Sequence, residues 1–248
     1  MRLSALYLNM WRNIGFFGVR FYINLCNILK LAYATFLRIS LYFGLSYSMQ
    51  KSLFNQTENL LPYRGEAYLY PNFFSRAECA AYFKDLQDNI DWKQEPVKIF
   101  GREVMQPRLT AWYGDNGKPY SYSGITMSPK AWTPTLQLIK EKIEQVARVQ
   151  FTSALLNLYR DGKDSMGWHR DNEKELGVNP VIGSVSFGAA RIFKLRDYND
   201  KSVSKEMELD DGSFLLMRGE TQHYWEHQVA KTSKEVGVRI NITFRVIM

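Results

Sequence analysis

From Ser153 to Val246 the chain alternates short apolar runs with turn-rich loops, and this rhythm constrains the fold more than any other feature. The runs are SALLNLYR (153–160), VIGSVSFG (181–188), RIFKLR (191–196), KEMELD (205–210), SFLLMR (213–218) and VRINITFRV (238–246). Runs this short, rich in β-branched and aromatic residues, read as strands, and many of them in succession close into a sandwich or jelly roll. Two helical patterns come first. The segment Ser75–Ile90 opens with a capping box (Ser75, Glu78) and places Cys79, Tyr82, Phe83, Leu86 and Ile90 on one face. The second starts at Thr133-Pro134 and repeats Leu136, Ile139, Ile143 and Val146 at the same period. Both should pack against a sheet. The stretch YGDNGKPYSYSG (113–124) predicts a hairpin about Asn116-Gly117. The class implied is α+β, mainly β, with helices backing the strands.

Size and composition suit one such domain: 248 residues, 46 % of them hydrophobic, can bury a core. Cys26 and Cys79 are far apart and match neither a disulfide framework nor a zinc spacing, so an intracellular location is expected, cytoplasm or nucleoid in a bacterial cell. Any metal must then be held by histidine and carboxylate. The net charge of +7 is a weak sign of nucleic-acid binding, because Arg2, Arg12, Arg20, Lys30 and Arg38 supply five of those charges before Met49. Their apolar surroundings break into runs well short of the roughly 20 residues that span a bilayer. On a continuous helix the five cations would form one basic stripe, suited to a membrane interface or a targeting segment. Residues 49–248 are expected to form the folded domain, and residues 1–48 are equally readable as an extension upstream of a start at Met49.

Chemistry concentrates around GWHRDNE (167–173). In extended backbone residues i and i+2 project to one side, so His169 and Asp171 would present an imidazole and a carboxylate to one point. The other two histidines, His223 and His227, lie together in ETQHYWEHQVAK, and either would complete a facial triad of two histidines and one carboxylate, the arrangement that leaves positions open on ferrous iron. The last strand supplies a second signal. Arg239, Asn241, Thr243 and Arg245 share one face of RINITFR, while Ile240, Ile242 and Phe244 share the other. If the polar face lines the mouth of a small barrel, two guanidinium groups converge on a space that needs an anion, and a dicarboxylate fits. Asn157 and Tyr159, on one face of NLYRDG, could donate further hydrogen bonds to it.

The ordered set NLYRDGKDSMGWHRDNEKEL, SVSFGAARIFKLR, HYWEHQV and RINITFR resembles the AlkB-type Fe(II)/2-oxoglutarate dioxygenases. FGREVMQPRLTAWYGD, followed by YSYSG and SPKAW, resembles their DNA-repair branch, and the likeness runs from about Leu61 to Val246. It implies a double-stranded β-helix (jelly roll) holding Fe(II) through His169, Asp171 and His227, the family motif favouring the histidine before Gln228-Val229 over His223. It implies 2-oxoglutarate and O2 as co-substrates, the first bound by Arg239 and Arg245 with Asn157, Tyr159 and Asn241. Succinate and CO2 would leave, and an N-methyl group would be hydroxylated and lost as formaldehyde. Asp171 favours hydroxylation over halogenation, which needs the carboxylate position vacated for halide.

The resemblance further implies that a paired base is flipped out of its stack, at least cost where a lesion such as 1-methyladenine or 3-methylcytosine already disrupts pairing. Tyr120 and Tyr122, with the ring of His169, would sandwich it, and Glu173 would favour the cationic methylated base. Ile99 and Phe100, in KIFG, correspond to the family's wedge, and Arg108 and Arg102 are candidate phosphate contacts. Trp168 and Trp225 are expected to pack around the ligands. The expected partner is alkylated DNA, with RNA as an alternative, and the chain is expected to act as a monomer. An RNA demethylase would share the iron and co-substrate residues, whereas a protein or small-molecule hydroxylase would have no use for the wedge or for Glu173.

Overall fold

A computed structural model describes residues 58–99, 102–115, 120–122, 125–127 and 129–248. Its frame is a pair of antiparallel sheets. The larger holds six strands in the order β1-β12-β9-β14-β7-β4, where β1 is Glu66–Tyr70, β4 Leu109–Gly114, β7 Ser153–Tyr159, β9 Ile182–Gly188, β12 Ser213–Arg218 and β14 Arg239–Arg245. The smaller runs β11-β10-β13-β8, with β8 Met166–His169, β10 Arg191–Asp197, β11 Ser204–Leu209 and β13 Trp225–Val229. From β7 to β10 and again from β11 to β14 consecutive strands alternate between the two sheets, with β10 and β11 paired as neighbours in the smaller one, a jelly-roll connection. Two hairpins stand apart: β2 (Pro96–Ile99) with β3 (Arg102–Met105), and β5 (Tyr120–Tyr122) with β6 (Ile125–Met127).

The large sheet is buried on both faces. Phe214 and Leu216 of β12 point to a cluster with Leu86, Leu136, Ile139, Ile143, Ile240, Ile242 and Phe244, against helices α1 (Arg76–Asn89) and α2 (Pro134–Ala147). Leu215 and Met217 point the other way, into a cluster with Ile182, Phe193, Leu195, Trp225 and Val229 between the sheets. This explains why SFLLMR reads as an unbroken apolar run, since a strand covered on both sides has no face to give to water. The helices begin as their sequences predict. The Glu78 amide donates to Ser75 Oγ while Glu78 Oε2 accepts from the Ser75 amide, and Thr133 Oγ1 accepts from the amide of Leu136.

The hairpin expected about Asn116-Gly117 lies outside the described residues. Of the strands that flank it, β4 pairs with β7, and β5 pairs with β6 in the register Tyr122 opposite Ile125. No helix of the described residues is long and apolar enough to cross a membrane. The expectations for residues 1–48 lie outside the described residues.

Candidate active site

Strand register brings the two histidines together. In the antiparallel pair β13–β8, His227 stands opposite His169, and their ring centroids are 4.2 Å apart. Asp171 lies two residues past the end of β8 and is buried, and ligand-capable atoms of His169, Asp171 and His227 all lie within 4.8 Å of one another. His169 Nε2 is 3.9 Å from Asp171 Oδ1. The other ring nitrogen, Nδ1, is 2.8 Å from the carbonyl of Gly167, so the proton belongs on Nδ1 and the Nε2 lone pair is turned toward the cluster. His223 sits exposed on the short helix α3 (Thr221–Tyr224) and takes no part, so geometry chooses between the two histidines that the residues alone left open.

The electrostatics suit a cation. Burial, and then the neighbouring His169, push His227 down to about 3, and burial also lowers His169. Both rings are therefore neutral at physiological pH, as metal ligands must be. Burial alone would raise the Asp171 carboxyl, but the Arg245 guanidinium, aided by the two histidines, holds it down at about 2. Two neutral imidazoles and one carboxylate are a set for a metal that keeps open positions, as ferrous iron does.

Strand β14 forms the facing wall. Its apolar residues Ile240, Ile242 and Phe244 are fully buried against the helices, while Arg239, Asn241, Thr243 and Arg245 line the same cavity as His169, Asp171 and His227. Cross-strand register sets Arg239 beside Tyr159 and Asn241 beside Asn157, so β7 contributes the two residues expected of it. The cavity opens to solvent, with these polar groups on one wall and Leu155, Phe193 and Val229 among its apolar lining.

The polar residues on this wall divide. Arg239 is 1 % exposed; its Nη2 donates to Ser186 Oγ at 2.9 Å, the Tyr159 ring centroid lies 5.1 Å from its Cζ, and its Nε and Nη1 have no partner among the described residues. Two buried donors on a cation are costly without an acceptor, and a ligand carboxylate would satisfy both. Arg245 lines the same cavity and donates to the protein's own carboxylate, Asp171, from Nη2 and Nε. Asn241 also lines it. Its Nδ2 donates to Ser184 Oγ and to the Val185 carbonyl, at 2.8 and 2.9 Å, which uses both amide protons within the wall.

The residues expected to meet the base are only partly described. Phe100 and the side chains of Ile99, Tyr120 and Tyr122 lie outside the described residues. Arg108 is 3 % exposed and donates from Nε to Asn157 Oδ1 at 2.7 Å, so it braces a cavity residue. Arg102 is exposed on β3, where a phosphate could reach it. Glu173 is half-buried just before the 3₁₀ turn Lys174–Leu176. Trp225 is buried, its Nε1 donating to the carbonyls of Tyr63 and Arg64, and Trp168 lies beneath the Arg196 guanidinium, 3.9 Å from Cζ to ring centroid.

Sequence reading missed Ser184 and Ser186. They alternate with Val185 and Phe187 in an apolar strand, and that interruption was the available signal for a polar face meeting β14. It also missed Gln222, whose side chain reaches Asp171 across 51 residues of chain and leaves no local periodicity.

Known proteins resemble this chain. Residues 66–245 match the 2OG-Fe(II) oxygenase superfamily. The "Alpha-ketoglutarate-dependent dioxygenase alkB homolog 3" of Bos taurus is 42 % identical over 188 residues, covering 72 % of this chain and 65 % of the relative, so the chain spans just under two thirds of that protein's length. The "DNA oxidative demethylase ALKBH2" of Homo sapiens is 37 % identical over 189 residues, with 72 % of each chain covered. A solved structure described as "The structure of OsALKBH1" matches with a TM-score of 0.56 at 16 % identity, over 75 % of this chain and 99 % of that one, a likeness of fold. With a jelly roll, a cluster of two histidines and one aspartate, and a family match that spans both sheets, the chain belongs to the 2OG-Fe(II) oxygenase superfamily.

Proposed function

We propose that this protein is an Fe(II)- and 2-oxoglutarate-dependent dioxygenase that removes N-alkyl groups from bases in DNA, with 1-methyladenine and 3-methylcytosine as substrates. One observation carries the reading: across a single cavity, the cluster of His169, Asp171 and His227 faces a buried arginine, Arg239, with two donors that have no partner among the described residues. The donor set fits ferrous iron, and Arg239 fits the carboxylate of 2-oxoglutarate farther from the metal. Bound iron, 2-oxoglutarate and O2 supply the oxidation that hydroxylates the alkyl carbon, which then leaves as an aldehyde.

The protein's own residues do the rest. His169 and His227 offer neutral nitrogens, the first fixed in its tautomer by the Gly167 carbonyl. Arg245 keeps Asp171 ionised and sets the plane of its carboxylate. Leu155, Phe193, Met217 and Val229 line the cavity and exclude water around the reacting carbon. Beside His169 the surface is basic and aromatic: the Arg170 guanidinium lies 3.7 Å over the Tyr198 ring, with Lys201 on the same ring at 4.5 Å. Such a surface suits a polyanion with stacking bases. The relatives named for DNA oxidative demethylation support the same substrate class.

The test is a product assay. Full-length protein with Fe(II), 2-oxoglutarate and a 3-methylcytosine DNA oligonucleotide should release formaldehyde and succinate in equal amounts. Iron-loaded protein that turns over neither this strand nor a 1-methyladenine strand would overturn the reading. Turnover confined to a methylated RNA strand would move the substrate to RNA and leave the chemistry in place.

A further inference from the structure

We infer that Gln222 is a positioning residue for the metal site, its side-chain carbonyl holding the backbone of Asp171 so that the carboxylate meets the two histidines. The inference rests on the proposed metal reading and concerns a residue outside the cavity lining. Asp171 lies beyond the end of β8, so its amide has no partner in the sheet. A buried amide must find an acceptor, and this one donates to Gln222 Oε1 at 2.9 Å.

Gln222 is itself fully buried, on α3 between β12 and β13. Its orientation is fixed by chemistry: a flipped amide would set Nε2 against the Asp171 N–H, donor facing donor. Nε2 instead faces Met217 Sδ at 3.8 Å, a weak acceptor, so the bond to Asp171 is the strong one the side chain makes. A long amide placed wholly out of water for one strong bond makes little sense as packing, since an apolar side chain would fill that space at lower cost. It makes sense as a brace.

The neighbouring contacts agree. Arg170 Nη1 donates to the carbonyl of His223 at 2.8 Å, tying the residue before Asp171 to the residue after Gln222. Thr221 Oγ1 accepts from the Glu66 amide at 2.9 Å and lies 2.6 Å from the Arg218 carbonyl, which anchors α3 to β1 and β12. Asp171 is thus held at both ends, its backbone by α3 through Gln222 and its carboxylate by β14 through Arg245. Groups one step behind a metal ligand set its direction, and their loss weakens metal binding by about 10- to 100-fold.

The test is calorimetric titration of metal-free protein with Co(II) or Mn(II), which needs no turnover, for wild type, Gln222→Met, Gln222→Glu and His223→Ala. Gln222→Met, similar in length and without the acceptor, should bind metal at least tenfold more weakly. Gln222→Glu, which keeps an acceptor oxygen, should recover part of that loss, and His223→Ala, which leaves the backbone carbonyl in place, should match wild type. Thermal unfolding of each metal-free variant separates affinity from stability. Equal affinity in wild type and Gln222→Met, or a loss in Gln222→Met matched in Gln222→Glu, overturns the inference while leaving the metal reading intact. Wild type that binds no metal overturns both.

Discussion

Arg245 donates to both carboxylate oxygens of Asp171, from Nη2 to Oδ1 at 2.9 Å and from Nε to Oδ2 at 3.3 Å. Both groups are almost wholly buried, so each charge is compensated by the other. The pair joins the last strand to the loop after β8 and ties the metal cluster to the large sheet. Arg239 projects to the same side of β14 and meets Ser186 Oγ and Tyr159, its Nε and Nη1 without a partner among the described residues. On the proposed reading the two arginines of one strand have different work: one holds a protein carboxylate, the other a ligand's.

That division gives opposite signatures on substitution. Arg239→Gln should raise the KM for 2-oxoglutarate by about 10- to 100-fold, the worth of one or two charge-assisted hydrogen bonds, and leave Co(II) affinity unchanged. Arg245→Gln should instead weaken Co(II) binding, because Asp171 loses the cation that keeps it ionised. Steady-state kinetics beside calorimetry on the same preparations decide the matter. Equal effects of both substitutions on KM would return Arg245 to the diacid.

His227→Ala should abolish metal binding and turnover, whereas His223→Ala should keep most of both. The two residues are four apart, yet His227 lies opposite His169 in the ladder and His223 stands on an exposed turn. Co(II) titration reads the difference directly, and loss of binding in His223→Ala alone would reverse the assignment.

What the sequence disclosed depended on how local the signal was. The capping box at Ser75 and Glu78 and the alternation in RINITFR are short-range patterns, and the structure has α1 begin after Ser75 and β14 split into an apolar and a polar face as those patterns dictate. His169 and Asp171 were legible as a pair because two residues of extended chain suffice to align them. The partners of Arg108, Arg245 and Gln222 were not. Arg108 reaches across 49 residues to Asn157 and Arg245 across 74 to Asp171, and only tertiary folding decides whether a guanidinium meets a protein oxygen or a ligand's.

Arg191 provides a test of the scaffold itself. Its guanidinium donates to the carbonyls of Asp161 and Asp164, in the loop before β8, and of Ala230, just after β13, at 3.1, 3.0 and 2.7 Å. It thereby clasps the loops that flank the two histidine-bearing strands. Arg191→Met would fill the space and strand these acceptors, costing about 2–4 kcal/mol of stability. Urea unfolding monitored by tryptophan fluorescence should show the loss as a lower midpoint at unchanged slope. A change below 0.5 kcal/mol (roughly the level of an ordinary surface substitution) would mean that water replaces the guanidinium freely.

The depressed histidines make the metal-free protein sensitive to acid. An unfolded histidine titrates near 6.5, but in the folded chain burial and the adjacent His169 hold His227 down at about 3. As pH falls below 6.5 the unfolded chain therefore takes up a proton that the folded chain refuses, and folding stability declines. Between pH 6.5 and pH 5 this group alone should remove about 1–2 kcal/mol, and His169, shifted in the same direction, adds to it. Asp171 acts lower. Held at about 2 against an ordinary value of 3.8, it stabilises the fold above pH 4, and that contribution is lost as pH drops toward 2. Urea unfolding of chelator-treated wild type should thus show stability falling steadily from pH 6.5 to pH 5, and His227→Gln, which cannot titrate, should flatten much of the slope whatever its effect on absolute stability. Bound metal should suppress the decline near neutrality, because a coordinated imidazole gives up no site to a proton until the metal leaves. A wild-type curve that is level over this range, or a slope unchanged in His227→Gln, would show that the His227 ring takes up its proton within the fold as readily as in water.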